Sequence, residues 1–170
     1  HHVVVVGDLL RQVDGTILAT HGYYVDVTPS EREHQDQVTA AEAAIAGGNR
    51  PAIAGDSYLD VGPMLRDVAL VYDWCFALLT PQQRTRWAIY ADQAVWNVWN
   101  YQQAKWGNTT YAWSGWSIDN PVNNYYYSFL EATMLRGLAT YGENTQAAAW
   151  IDKFRTAKIV AEELRALGLE

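Results

Sequence analysis

Two kinds of helical segment alternate along this chain, separated by Gly and Pro. That alternation constrains the fold more than any other feature. Thr28-Pro29-Ser30-Glu31 reads as a helix start, with a capping residue, a proline in the first turn and an acid behind it. The helix it opens runs to about Ala46 and stops at Gly47-Gly48, with Val38, Ala41 and Ile45 as its apolar stripe. The next segment, from Gly62-Pro63 to Leu79, is apolar nearly all round, the pattern expected of a helix buried on every side. Thr80-Pro81 opens an amphipathic helix to Trp99. Its stripe is Trp87, Ala91, Ala94, Val95 and Val98, and its opposite face carries Gln82, Gln83, Arg86, Asp92, Gln93 and Asn97. A second all-round apolar helix is expected over Val122–Tyr141. A last amphipathic one follows over Thr145–Leu167, ended by Gly168. Before all of these, Val3–Val6 favours a strand, whereas Leu9, Leu10, Val13 and Ile17 keep a helical period; helix is expected from about Gly7.

The alternation predicts an all-α fold of helical hairpins in two layers, with apolar helices inside and amphipathic ones outside. Residues 1–170 are read as a single domain or as a fragment of a larger one. Inner-to-outer connections are short, at Leu79–Thr80 and Gly142–Asn144. Outer-to-inner connections are long, at Gly47–Val61 and Asn100–Pro121, and both must lie at the end where the inner helices start. Long loops on a rigid scaffold are where function concentrates.

Composition narrows the function classes. A net charge of −7 argues against a nucleic-acid partner, and no apolar run approaches the roughly 20 residues that span a bilayer. One cysteine, Cys75, excludes an internal disulfide, and its apolar surroundings mark it as a core thiol. No Cys/His cluster has metal-ligand spacing, so no metal is expected. The chain has 8 Trp and 11 Tyr, more aromatic surface than helical stripes alone absorb, which suggests stacking on sugar rings. His1-His2 resembles a tag and is set aside. The chain does not begin with Met, so any export signal is expected to be missing from it.

These strands of argument converge on Trp113–Tyr127 together with Asp56-Ser57-Tyr58. Trp113 and Trp116 are candidates for binding sugar rings, and Asn123 and Asn124 fall where an inner helix begins. One asparagine is expected to cap the helix and the other to face a cleft. The hairpin around Tyr72-Asp73-Trp74 and Leu79-Thr80-Pro81, with Val122-Asn123-Asn124-Tyr125-Tyr126-Tyr127 after it, resembles the polysaccharide lyases and heparinase II/III-like proteins. The resemblance covers roughly Gly55–Leu167 and rests on short motifs. It implies an (α/α) toroid-like double layer, here incomplete, with the remaining part of the same toroid as a partner. It also implies a secreted or periplasmic protein acting on a polysaccharide or oligosaccharide.

The reaction implied is β-elimination at a uronic acid, which requires no cofactor. Asn124 would hold the substrate carboxylate, Tyr125 would handle the proton, and Asn123, Trp113, Trp116, Tyr126, Tyr58 and Asp56 would contact the glycan. Tyr125 stands where many relatives carry His, and only Lys105 and Arg136 are at hand to lower its pKa. Two alternatives stay open. Paired carboxylates drawn from Asp56, Asp60, Asp119 and Glu131 would serve a glycoside hydrolase. Trp106, Trp113 and Trp116 with nearby asparagines would serve a non-catalytic carbohydrate-binding module. Asp73, within an inner helix, is expected to be a hydrogen-bonded structural residue, and Glu131 to pair with Arg136 or Lys105.

Overall fold

A computed structural model describes residues 3–11, 17–26, 31–55, 57–120, 123–156 and 168. The chain forms two compact units, His1–His34 and Gln35–Glu170. In the first, β1 (Val3–Arg11) and β2 (Ile17–Asp26) pair antiparallel, from Val3 opposite Asp26 to Arg11 opposite Ile17, with an irregularity between Leu10 and Arg11. This corrects the helix expected from Gly7. Val3–Val6 and the Tyr23-Tyr24-Val25 run favour extended backbone, and Gly7 and Gly22, costly inside a helix, face each other across the ladder.

The second unit is helical, and the described chain as a whole is mostly helix. It contains most of α1 (Glu31–Ala46), then α2 (Val61–Trp74), α3 (Pro81–Trp99), α4 (Asn124–Ala139) and α5 (Ala147–Lys153). The cap expected at 28–30 lies outside the described residues. A 3₁₀ turn, Phe76–Leu78, takes up the end of the segment expected to continue α2. At α5 the helix passes into a π-type turn at 154–156, and the rest of the expected 145–167 helix lies outside the described residues.

α3 starts where its signals place it. The Thr80 Oγ1 accepts from the Gln83 amide at 3.3 Å, the Gln83 side chain accepts from the Thr80 amide at 2.9 Å, and Pro81 fills the first position, completing a capping box. Its stripe of Trp87, Ala91, Ala94, Val95 and Val98 is buried as expected.

Within this unit α2 packs chiefly on α4, α2 and α3 form one hairpin, and α4 and α5 form the next. α1 meets α3, where Glu42 accepts from Arg86 and from the Trp87 indole. Two glycines allow close approach. A Cβ on Gly62 would lie 2.1 Å from the Ser128 Oγ, and one on Gly137 would lie 2.8 Å from the Ala147 carbonyl oxygen. The Trp99 indole donates to Thr133 Oγ1 at 3.0 Å, and that hydroxyl donates to the Phe129 carbonyl at 2.7 Å, tying α3 to α4. Burial of each large side chain here, such as Phe129 or Leu130, contributes about 1.5–3 kcal/mol.

Burial all round does not hold for the inner helices. α2 buries Val61, Leu65, Val68, Ala69 and Tyr72, while Asp67 and Asp73 are exposed and Trp74 is 62% exposed. α4 exposes Glu131 and Leu138. Conversely, Asn97, assigned to the polar face of α3, is fully buried. Apolar composition measures what a helix can bury; which neighbours arrive decides what it does bury.

Candidate functional site

The two long loops meet. Tyr58, from the loop before α2, lies edge-on to Tyr111 at 5.8 Å and tilted to Trp113 at 5.6 Å, both in the loop between α3 and α4. That second loop is built on Asn97. Its Nδ2 donates to the Lys105 carbonyl at 2.9 Å and its Oδ1 accepts from the Lys105 amide at 3.1 Å. A two-strand ladder, β3 (Lys105–Trp106) with β4 (Thr109–Thr110), turns at Gly107, whose φ of +58° suits glycine. The Trp113 indole then donates to the Asn97 carbonyl at 3.3 Å.

The backbone sorts the two tryptophans that follow. Gly115 and Ser117 both have φ of +68°, and a Cβ on Gly115 would lie 2.5 Å from the Tyr101 ring. Ser114 Oγ accepts from the Trp116 amide at 3.1 Å. The result turns Trp113 inward, 5% exposed, against Tyr58, Tyr101 and Phe129. Trp116 is left outward, 46% exposed, with its ring 5.2 Å from that of Tyr125.

At the start of α4 the asparagines divide. Asn123 is the cap: its Oδ1 accepts from the Tyr125 amide at 2.9 Å. Asn124, the first helical residue, is exposed, and no described residue bonds its side chain. Tyr125 is half-buried beneath Trp116, whereas Tyr126 is buried against Trp99. At the α4 N-terminus, then, Asn124 is exposed and next in sequence to Tyr125, which packs against the exposed Trp116.

Three other expected contact residues belong to the core. Trp113, Tyr58 and Tyr126 are buried, so their ring faces are occupied by protein and present no stacking surface. Asp56 lies outside the described residues. Burial pushes the Tyr58 phenol well above its ordinary value and raises that of Tyr111, so neither acts as a base near neutral pH.

The charges expected near Tyr125 are engaged elsewhere. Arg136 pairs with Asp92 at 2.9 Å, not with Glu131, which is exposed, and Lys105 lies over the Trp96 ring at 5.8 Å. Among the described residues no cation contact to Tyr125 is present. Asp73, expected to be hydrogen-bonded in a buried helix, is exposed, because that turn of α2 faces solvent. Sequence reasoning missed Asn97 as the organiser of the loop; an asparagine one turn from a helix end, ahead of a Trp-rich loop, was the available signal.

No group of three His, Cys, Asp or Glu side chains among the described residues is placed to hold a metal ion. No described helix is long and apolar enough to cross a membrane. Comparison with protein families, with curated proteins and with solved structures yields no match to this chain.

Proposed function

We propose that this chain is a carbohydrate-active domain with an (α/α) toroid-like arrangement that cleaves a uronic-acid-containing glycan by polysaccharide lyase-like β-elimination. The hairpin pairing supports the arrangement: α2 lies beside α4, each is followed by its own partner helix, and α1 meets α3. The observation that carries the chemical reading is the division of labour at Asn123 and Asn124. With Asn123 committed to the cap, the exposed Asn124 amide is free to donate to a substrate carboxylate beside the Trp116–Tyr125 ring pair.

In this mechanism the Asn124 Nδ2 hydrogen-bonds the carboxylate and reduces its charge, which acidifies the adjacent C–H. The Tyr125 phenolic oxygen takes that proton while its own hydroxyl proton passes to the leaving oxygen. The electron pair forms the ring C=C bond, the C–O bond to the neighbouring sugar breaks, and the leaving oxygen carries the proton that Tyr125 gave up. Trp116 stacks on a sugar ring and holds the register. No cofactor enters these steps. A glycan substrate places the protein outside the cytoplasm, secreted or periplasmic.

A second reading, a non-catalytic glycan-binding module, is favoured by one observation: the Trp116 platform is present while Tyr125 lacks a described cation contact. Incubation with alginate, hyaluronan, heparan and pectin separates the two. The lyase reading predicts unsaturated products seen as rising ultraviolet absorbance. No rise, with glycan binding that disappears in Trp116→Ala, establishes the binding module instead; new reducing ends without absorbance indicate hydrolysis.

A further inference from the structure

A second polar constellation lies away from the Trp116–Tyr125 surface. Arg136 is twelve residues beyond Asn124 on α4, roughly 18 Å along the helix at 1.5 Å per residue. It lines a cleft of about 540 Å³ together with Tyr72, Arg84, Asp92, Glu143 and Asn144. The Arg136 residue is 0% exposed. Its Nε donates to Asp92 Oδ1 at 2.9 Å, and its guanidinium carbon lies 5.2 Å from the centre of the Tyr72 ring. Its Nη1 and Nη2 are buried with no hydrogen-bond partner among the described residues. Arg84 repeats the pattern: Nη2 donates to the Phe76 carbonyl at 2.8 Å, while the buried Nε has no partner.

Leaving guanidinium donors unpaired inside a protein is costly, several kcal/mol for a charged group in order of magnitude. The carboxylates nearby already accept from other donors and none bonds the Arg136 Nη atoms. Asp92 uses Oδ1 for Arg136 and Oδ2 for the Asn144 amide at 2.8 Å, and Glu143 Oε2 accepts from the Tyr72 hydroxyl at 3.1 Å. The cleft therefore has surplus N–H donors, and the free Nη1–Nη2 edge of Arg136 has the fork shape that receives two oxygens of one planar anion.

We propose that this cleft binds the carboxylate of a small hydroxy acid, an acidic sugar being the natural class. Two arginines against Asp92 and Glu143 leave no net charge among these four, so the unpaired N–H donors rather than net charge select the ligand, and a singly charged anion is repelled less than a dianion. A phosphate dianion would meet the exposed Glu143 carboxylate at the rim. Glu143 in turn accepts from ligand hydroxyls, which a plain carboxylate lacks. The site does not depend on the chemistry assigned to Asn124.

Titration calorimetry of the full chain with glucuronate tests this, with glucose, acetate and inorganic phosphate as comparisons. The expected result is saturable glucuronate binding, weaker acetate binding and none for glucose. Arg84→Gln should weaken glucuronate at least about tenfold, the loss of a hydrogen bond to a charged group. Arg136→Lys keeps the charge but loses the fork, and should also lose binding at unchanged helical circular dichroism. Absence of glucuronate binding, equal binding by Arg84→Gln, or phosphate binding as tight as glucuronate would each overturn the proposal. Loss of glucuronate binding in Asn124→Ala with Arg84→Gln unaffected would move the ligand to the α4 N-terminus.

Discussion

At the scale of single residues, side-chain polarity did not decide position. Asn97 is a polar residue on a helix whose other polar residues face water, yet it is buried because it replaces a missing backbone partner for both the amide and the carbonyl of Lys105. Truncation strips both partners at once. Asn97→Ala should destabilise the folded state by about 1–3 kcal/mol, the cost of leaving two partly buried backbone groups unsatisfied. Chemical denaturation checks this, and a loss below about 0.5 kcal/mol, the level of an ordinary surface substitution, contradicts it. The tryptophans carry the complementary lesson. Trp113 and Trp116 have the same local composition around them, and what separates them is two left-handed backbone positions, Gly115 and Ser117. The glycine was visible in the sequence, but the conformation of Ser117, a residue type that seldom adopts it, was not.

At the scale of elements, legibility followed the strength of local signals. α3 was readable end to end because Thr80, Pro81 and Gln83 form a capping box that competes with no other local structure. The β1–β2 hairpin was not, because Leu9, Leu10, Val13 and Ile17 imitate a helical period, and pairing with a second strand is a non-local contact that periodicity does not encode. The crossing of α2 and α4 was equally hidden, since Gly62 reads as a helix opener and acts as a contact point. Gly62→Ala would drive a Cβ into Ser128 near the start of both helices. It should cost about 1–3 kcal/mol by overpacking, and the double change Gly62→Ala with Ser128→Gly should recover much of that loss. Thermal unfolding of the two variants beside the parent measures it; a neutral single variant would mean the helices separate freely there.

At the scale of the whole molecule, protonation sets a limit on the alkaline side. Tyr58, Tyr72, Tyr90 and Tyr111 all have pKa values raised above 10.0, burial being the first cause in each case. The folded state keeps these protons where the unfolded chain releases them, so their contribution is complete below about pH 10 and falls above it. Lys153 works in the opposite sense. Burial lowers its pKa below 10.5, so its contribution to stability rises with pH between the lowered value and 10.5. Four tyrosines outweigh one partly exposed lysine. Melting temperature should stay level through neutral pH and drop above about pH 10, in step with tyrosinate absorbance; a level profile through that range contradicts the burial of the phenols.

The candidate site was legible in part at this same scale. Asn123, Asn124, Tyr125 and Trp116 could be picked out from composition and helix position, whereas Trp113, Tyr58 and Tyr126 were assigned to a surface that tertiary packing removes. The central claim rests on the two adjacent asparagines having different tasks. The most direct measurement compares Asn123→Ala and Asn124→Ala for melting temperature and for the rate of unsaturated product formation on a uronic-acid glycan. The account predicts that Asn123→Ala lowers stability by about 1 kcal/mol, as for loss of a helix cap, and keeps substantial turnover. It predicts that Asn124→Ala melts like the parent and loses turnover. The reverse pattern, or full turnover in Asn124→Ala, would contradict it.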